Sequence, residues 1–362
     1  MQIVQANKIP AIFRNMTTSY KAYWFLAILE MSVEEKQLEI GVRDLCIRML
    51  ANAWYPVHFY RLHFGAYDQV SLSNQFIMDK LNLKADIPKK DLIALLTANK
   101  DEEIEKHILR FKQHVLYRFL SPWISYKSDQ QVETESHQLA DEVPYSINRT
   151  KHTILIPAIW GNYFSQNYAV LKDYCYYQLA LYLQAKNPGV PAVLDKLVKP
   201  AQRESLNKQR EYWNIVFEKH TSLRCIYTHK NLSAGKYDLE HYVPWSFVTH
   251  NLIWNLIPAD SAINSAKSNK LPPEKYMAEF VYTQQLGLNT IYHALPNHRL
   301  FQDFNSFGLA VSEIIRLDNQ KLLELYKTQI NPQLQIARQL GFGVNDSTKF
   351  IFVLNNDLFY YY

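Results

Sequence analysis

The sequence predicts a mainly helical chain that carries one small strand–loop–strand–helix module, α+β overall. Three observations carry this. Apolar residues recur at spacings of three and four through most of the chain, the pattern of helices with one buried face. Strict alternation of apolar and polar residues, the pattern of a half-buried strand, is confined to short stretches. Only 9 glycines occur in 362 residues, which argues against a repetitive β architecture and against a glycine-rich phosphate loop; no GxxxxGK[ST] run is present.

The length allows two or three packed units. The organisation expected is a helical domain over 1–126, a polar linker or surface loop over 127–150, a helical connector over 151–220, the small module over 221–275 and a helical region over 276–362. A net charge of +5 and a pI near 8.8 permit nucleic-acid binding without demanding it. Cys46, Cys175 and Cys225 are far apart and odd in number, which suits free thiols in a reducing compartment. The N-terminal residues lack a long apolar run, and the richest one, 23–29, is too short to span a bilayer. The expectation is a soluble, cytoplasmic protein without a membrane partner.

Taken in order, residues 17–19 can cap a helix containing Trp24, Phe25, Ile28 and Leu29. Helical spacing returns at 43–50, 70–81, 91–96 and 102–120. The histidines here, His58, His63, His107 and His114, are scattered; His107 and His114 could share a helix face, but packing roles are expected. Residues 152–156 read as a short strand stopped by Pro157. Residues 160–184 read as a buried helix with tyrosine tips outside, and 187–191, NPGVP, is a turn. A helix over 200–220 buries Trp213, Val216 and Phe217, with Arg203, Lys208 and Arg210 on a basic face. Helices are expected at 274–285, 311–326 and 327–341, and 349–362 alternates as a strand that is apolar on both faces.

The densest chemistry lies in 237–272, YDLEHYVPWSFVTHNLIWNLIPADSAINSAKSNKLP. Residues 237–241 alternate as a strand, and Pro244 stops regular pairing. A loop with Ser246, Thr249 and His250 follows, then a second strand over 252–257 ended by Pro258. Asp260 is the natural N-cap of a helix running towards Lys270, and Pro272 and Pro273 stop it. Asn264, Lys267 and Ser268, at i, i+3 and i+4, share one face of that helix. A carboxylate and an amide oxygen are hard donors suited to Mg²⁺, and a neutral histidine can take a proton from water. Strict alternation sends Glu240 and His241 to opposite faces, so they serve one phosphate only if the strand bends or ends there.

This segment resembles the HNH endonuclease family, whose fold is a one-metal ββα module. The resemblance rests on Glu240–His241, Pro244, Asn255 and the ending Asn264-x-x-Lys267-Ser268-x-x-Leu271-Pro272, with the lead-in Arg224-Cys225-Ile226-Tyr227-Thr228. It implies a mainly α protein with a small ββα-metal (HNH) nuclease module. It implies His241 as general base, Asn255 as the residue that pins the loop and aims His241, and Glu240 and Asn264 as ligands of one Mg²⁺ or Mn²⁺ ion. Lys267 is expected to meet a substrate phosphate. Many relatives carry two C-x-x-C pairs for zinc. Here Thr228, Asp260 and Ile263 stand where three cysteines would, so no structural zinc is expected.

The resemblance thus implies a divalent-metal-dependent endonuclease cutting DNA. A bacterial restriction or antiphage defence effector is the setting expected by analogy, with a protein partner or oligomer engaged through the helical regions. Two alternatives stand beside it: a catalytically inactive nucleic-acid-binding or scaffold protein with an HNH-like fold, and an HNH nuclease that cleaves RNA.

Overall fold

The computed structural model describes residues 4–200, 204–220 and 222–345; the strand expected at 349–362 and Arg203 lie outside them. The chain divides into two compact units, Met1–Pro200 and Ala201–Tyr362. Among the described residues both are built mainly from helices, with two small antiparallel sheets.

The first unit is organised around α1 (Tyr20–Leu29), in which every residue but Lys21 is buried. A helix apolar on all sides belongs at the centre of a core, and α1 packs against α2 (Val42–Trp54). A short strand, β1 (Glu39–Gly41), leads into α2. Both helices continue into one π turn, Glu30–Glu34 and Tyr55–Phe59. In the second, Pro56 supplies a reason, because its ring cannot sit in a regular i→i−4 ladder. Helices α3 (Val70–Leu81), α4 (Lys89–Ala98) and α5 (Glu102–Leu109) surround α2.

The helix expected over 102–120 is broken. After α5 come single turns at Lys112–Val115 and Arg118–Leu120, so His107 and His114 do not share one helix face. His107 stacks on Phe76 with ring centroids 4.0 Å apart, and His114 lies against Tyr20.

The stretch 127–150, expected as a linker or loop, is part of the first unit. It forms α6 (Asp129–Gln138) and β2 (Ser146–Asn148). Its polarity misleads because few side chains face inward; Val132, Val143 and Tyr145 are fully buried. β2 pairs with β3 (Thr153–Leu155), which also pairs with β1, giving the order β1-β3-β2. Tyr145 accepts from Trp24 Nε1 at 3.2 Å and donates to the Leu116 carbonyl at 2.6 Å, so this stretch is tied to the central helix. Helices α7 (Ala158–Gln166) and α8 (Tyr168–Lys186) close the unit.

In the second unit, α9 (Asn207–Lys219) precedes a two-stranded ribbon, β4 (Asp238–His241) and β5 (Leu256–Ala259). The register pairs Asp238 with Ala259 and His241 with Leu256. Pro258, expected to end the second strand, lies inside β5 opposite Leu239. A ribbon of two strands leaves an outer edge on each, where a residue lacking an N–H is tolerated. Helix α10 (Ser261–Lys267) follows, then α11 (Met277–Ala294) and α12 (Asn319–Gln339). α12 runs through Pro332 and joins most of two helices expected separately. Among the described residues, no helix is long and apolar enough to cross a membrane.

Candidate active site

The site is built at the seam between β4 and α10. Asp260 caps α10, accepting from the N–H groups of Ala262 and Ile263 at 3.1 and 3.4 Å. α10 stops at Lys267 rather than running to Lys270, because Ser268 turns into positive φ. Ile263 is buried behind the helix while Asn264 and Lys267, three apart, face the strand. Asp238 and Glu240, two apart on β4, face the same seam. Two pairs result. Asn264 Nδ2 donates to Asp238 Oδ2 at 3.3 Å. Lys267 Nζ lies 2.5 Å from Glu240 Oε1 and donates to the His241 carbonyl at 2.8 Å.

Lys267 is therefore not placed for a phosphate. Its side chain is 2% exposed, as is that of Glu240, and its cation is turned inward because a carboxylate buried this deeply requires an opposite charge. Glu240 Oε2 accepts from the Tyr227 hydroxyl at 3.0 Å. Burial, with the nearby carboxylate, holds the Tyr227 phenol well above its ordinary pKa, so it stays a donor.

His241 ends β4, and the chain leaves the ladder after it. The half-buried imidazole turns to the loop, with Nε2 3.0 Å from Asn251 Oδ1. In the neutral ring that pairing puts the hydrogen on Nε2 and the lone pair on Nδ1, a tautomer assigned from the bond network. Asn251 is in turn held by α9, whose Gln209 Nε2 donates to the Asn251 carbonyl at 2.8 Å. The sequence reading passed over both residues. Asn251 sits ten positions after the histidine in a loop, and nothing in its spacing marks it.

Asn255 is fully buried. Its Oδ1 accepts from Val243 N–H at 2.8 Å and its Nδ2 donates to the Val243 carbonyl at 2.9 Å. Its own carbonyl accepts from Tyr242 N–H at 2.9 Å. Three bonds thus fasten the two residues that follow His241. Between Val243 and Asn255 lies one helical turn, Trp245–Val248, where a plain loop was expected.

Residues 225–273 match the family model described as HNH endonuclease. No curated protein and no solved structure matches the chain. The chain thus carries an HNH segment of a nuclease family, embedded in a mainly α protein. A nuclease segment implies nucleic acid as the binding partner, and HNH nucleases in general depend on a metal ion.

The HNH seam suits such an ion chemically. Glu240 Oε1 and the His241 carbonyl already grip a cation, the Lys267 ammonium, and Asp238 and Asn264 add hard oxygens on the same seam. Among the described residues, no group of three or more His, Cys, Asp or Glu side chains is arranged around one point. A hard ion here would draw on amide oxygen, water and substrate phosphate as well as carboxylate, which is how Mg²⁺ is commonly held.

At the positions where relatives carry zinc ligands, Cys225 is buried and Ile263 packs in the core. Asp260 caps α10 and lies 3.5 Å from Lys230. Main-chain bonds close the lead-in turn, from Cys225 N–H to the Lys230 carbonyl at 3.0 Å and from Leu232 N–H to the Leu223 carbonyl at 2.8 Å.

Proposed function

We propose that the chain is a divalent-metal-dependent endonuclease that hydrolyses phosphodiester bonds in DNA. What supports the reading is that, inside the matched segment, β4 sets Asp238 and Glu240 against Asn264 and Lys267 of α10, with His241 at the strand's end. His241, with its hydrogen on Nε2, takes a proton from the attacking water through Nδ1. Asn251 fixes the ring's rotation and tautomer, and Asn255 fixes the main chain that carries it. Glu240 and Asn264 supply oxygens to one Mg²⁺ or Mn²⁺ ion. The ion, when bound, stabilises charge on the phosphorane and on the leaving 3′-oxygen. Products with 5′-phosphate and 3′-hydroxyl ends are what the resemblance to the HNH family implies. The biological setting we favour is a cytoplasmic restriction or antiphage effector, by analogy with HNH proteins that carry private extra domains.

Plasmid nicking with Mg²⁺ or Mn²⁺ tests this, wild type against His241→Ala. Cleavage is expected for the wild type and lost in the variant, while folding and DNA binding persist. Absence of cleavage in both would overturn the nuclease reading, and cleavage unchanged by the substitution would mean that His241 is not the base. Labelled DNA and RNA oligonucleotides run side by side decide the substrate.

A further inference from the structure

Glu240 lies at the bottom of the seam with almost no contact with water. A carboxylate in such a place is tolerated as an ion only with an opposite charge and hydrogen bonds on its oxygens. Both oxygens are committed: Oε2 to the Tyr227 hydroxyl at 3.0 Å, Oε1 to the Lys267 ammonium at 2.5 Å. The two partners differ in kind. Tyr227 is a neutral donor on a rigid ring, itself wedged edge-on against Tyr276 with centroids 4.9 Å apart. Lys267 brings a full positive charge on a flexible stem from the last residue of α10, and it also binds the His241 carbonyl. A compact cation held by two oxygens occupies the kind of position a small metal ion would take.

We propose that Lys267 is the placeholder for the divalent cation on Glu240, and that Tyr227 is the fixed positioning residue for that carboxylate. The inference rests on the metal-dependent reading above. In the metal-free protein the ammonium compensates Glu240. When a divalent ion binds Oε1, it and the ammonium repel each other at close range across one oxygen, and the ammonium leaves. The exchange replaces one cation by another on a carboxylate that is never left bare. The stem of Lys267 then swings out from the end of α10, where its charge faces the anionic strand. The inward lysine and the phosphate-facing lysine become two states of one side chain, and Tyr227 holds Oε2 in both.

The test uses the full-length protein and Mn²⁺ alone, with free Mn²⁺ measured by electron paramagnetic resonance and unfolding followed by calorimetry. Lys267→Met removes the internal competitor. It is expected to bind Mn²⁺ about tenfold tighter than wild type, to be less stable without metal, and to gain more stability from Mn²⁺. Tyr227→Phe keeps the ring and removes the bond to Oε2, and is expected to bind Mn²⁺ several-fold more weakly while Lys267 still pairs with Glu240. Glu240→Gln is expected to lose high-affinity binding.

Should Lys267→Met fail to fold, the wild type answers alone. A buried ammonium exchanges its hydrogens slowly, so its ¹H–¹⁵N signal is visible without metal and is expected to vanish on saturation with Mg²⁺. Unchanged or weaker Mn²⁺ binding in Lys267→Met, wild-type affinity in Glu240→Gln or in Tyr227→Phe, or an ammonium signal that persists at saturating Mg²⁺ would each overturn the proposal. Cleavage accompanied by a persistent signal leaves the nuclease reading standing and removes only the placeholder. A protein that neither binds Mn²⁺ nor cleaves removes both.

Discussion

Asn255 offers the most direct test of how the loop after His241 is held. Asn255→Ala removes two side-chain bonds at once and leaves the N–H and the carbonyl of Val243 without partners in a fully buried place. A buried polar group left unsatisfied costs about 1–3 kcal/mol. Two such groups give a loss of about 4 kcal/mol, and for a unit of this size that lowers Tm by about 10 °C. Calorimetry measures the total, and hydrogen exchange at the Val243 amide localises it. Asn255→Asp sharpens the reasoning. It keeps the acceptor for Val243 N–H but sets a carboxylate oxygen against the Val243 carbonyl. Burial and that repulsion raise the folded-state pKa of the new acid above its unfolded value. The folded variant then binds more protons than the unfolded one, so it is expected to gain stability as pH falls through the raised pKa. A Tm within about 2 °C of wild type in Asn255→Ala, or unchanged protection at Val243, would refute the account of the loop.

Other expectations follow from single contacts. Asn251→Ala removes the acceptor at His241 Nε2; cleavage should fall about tenfold, as for loss of an orienting partner, and the lower arm of its pH profile should move, while Tm stays within about 1 °C because Asn251 is only partly buried. Gly287 of α11 lies under Trp213, where an added Cβ would sit 2.9 Å from the ring. Gly287→Ala should therefore lower stability by about 1–2 kcal/mol by calorimetry, although alanine favours the helix by about 1 kcal/mol. In the first unit, His58 is buried over Trp54 with Nε2 unpartnered, and burial lowers its pKa to about 4. The unfolded value is about 6.5, so the folded state binds fewer protons between the two; stability is full above about pH 6.5 and falls by about 3 kcal/mol as pH drops to about 4. His58→Phe should flatten that slope in denaturant titrations.

What the sequence made legible, and what it did not, follows from which interactions are local. The Asp260 cap, the ending of β4 near Pro244 and the shared face of Asn264 and Lys267 are set by neighbours within four residues. The direction in which that face points is not. A lysine three residues along a short polar helix looks solvated, and only the arrival of Glu240 from another strand turns it inward. Asn251 is silent for the same reason, since its value lies in meeting His241 across a loop. Composition misled at 127–150, where a polar average hid Val132, Val143 and Tyr145. Periodicity misled at 102–120, where an apolar stripe continues across a break in the helix.

The matched segment is not self-sufficient. The Leu256 carbonyl accepts from Trp213 Nε1 at 3.2 Å and from Gln284 Nε2 at 2.9 Å; Gln284 also donates to the Ile253 carbonyl at 3.1 Å. Asp303 accepts from Ile253 N–H at 2.7 Å, and Gln209 holds the Asn251 carbonyl. Each of these side chains lies outside 225–273. Cutting that segment free would strip partners from the main chain of Asn251, Ile253 and Leu256. It would also uncover Ile253, Leu256 and Ile257, which are fully buried; at about 1.5–3 kcal/mol for each side chain returned to water, the loss is comparable with the 5–15 kcal/mol that holds a whole domain. A peptide covering 221–275 is therefore expected to be unfolded by circular dichroism with or without Mg²⁺, whereas 204–345 should fold. Cooperative folding of the short peptide would show that the helices around the ribbon are accessory, and that β4, β5 and α10 satisfy one another without them.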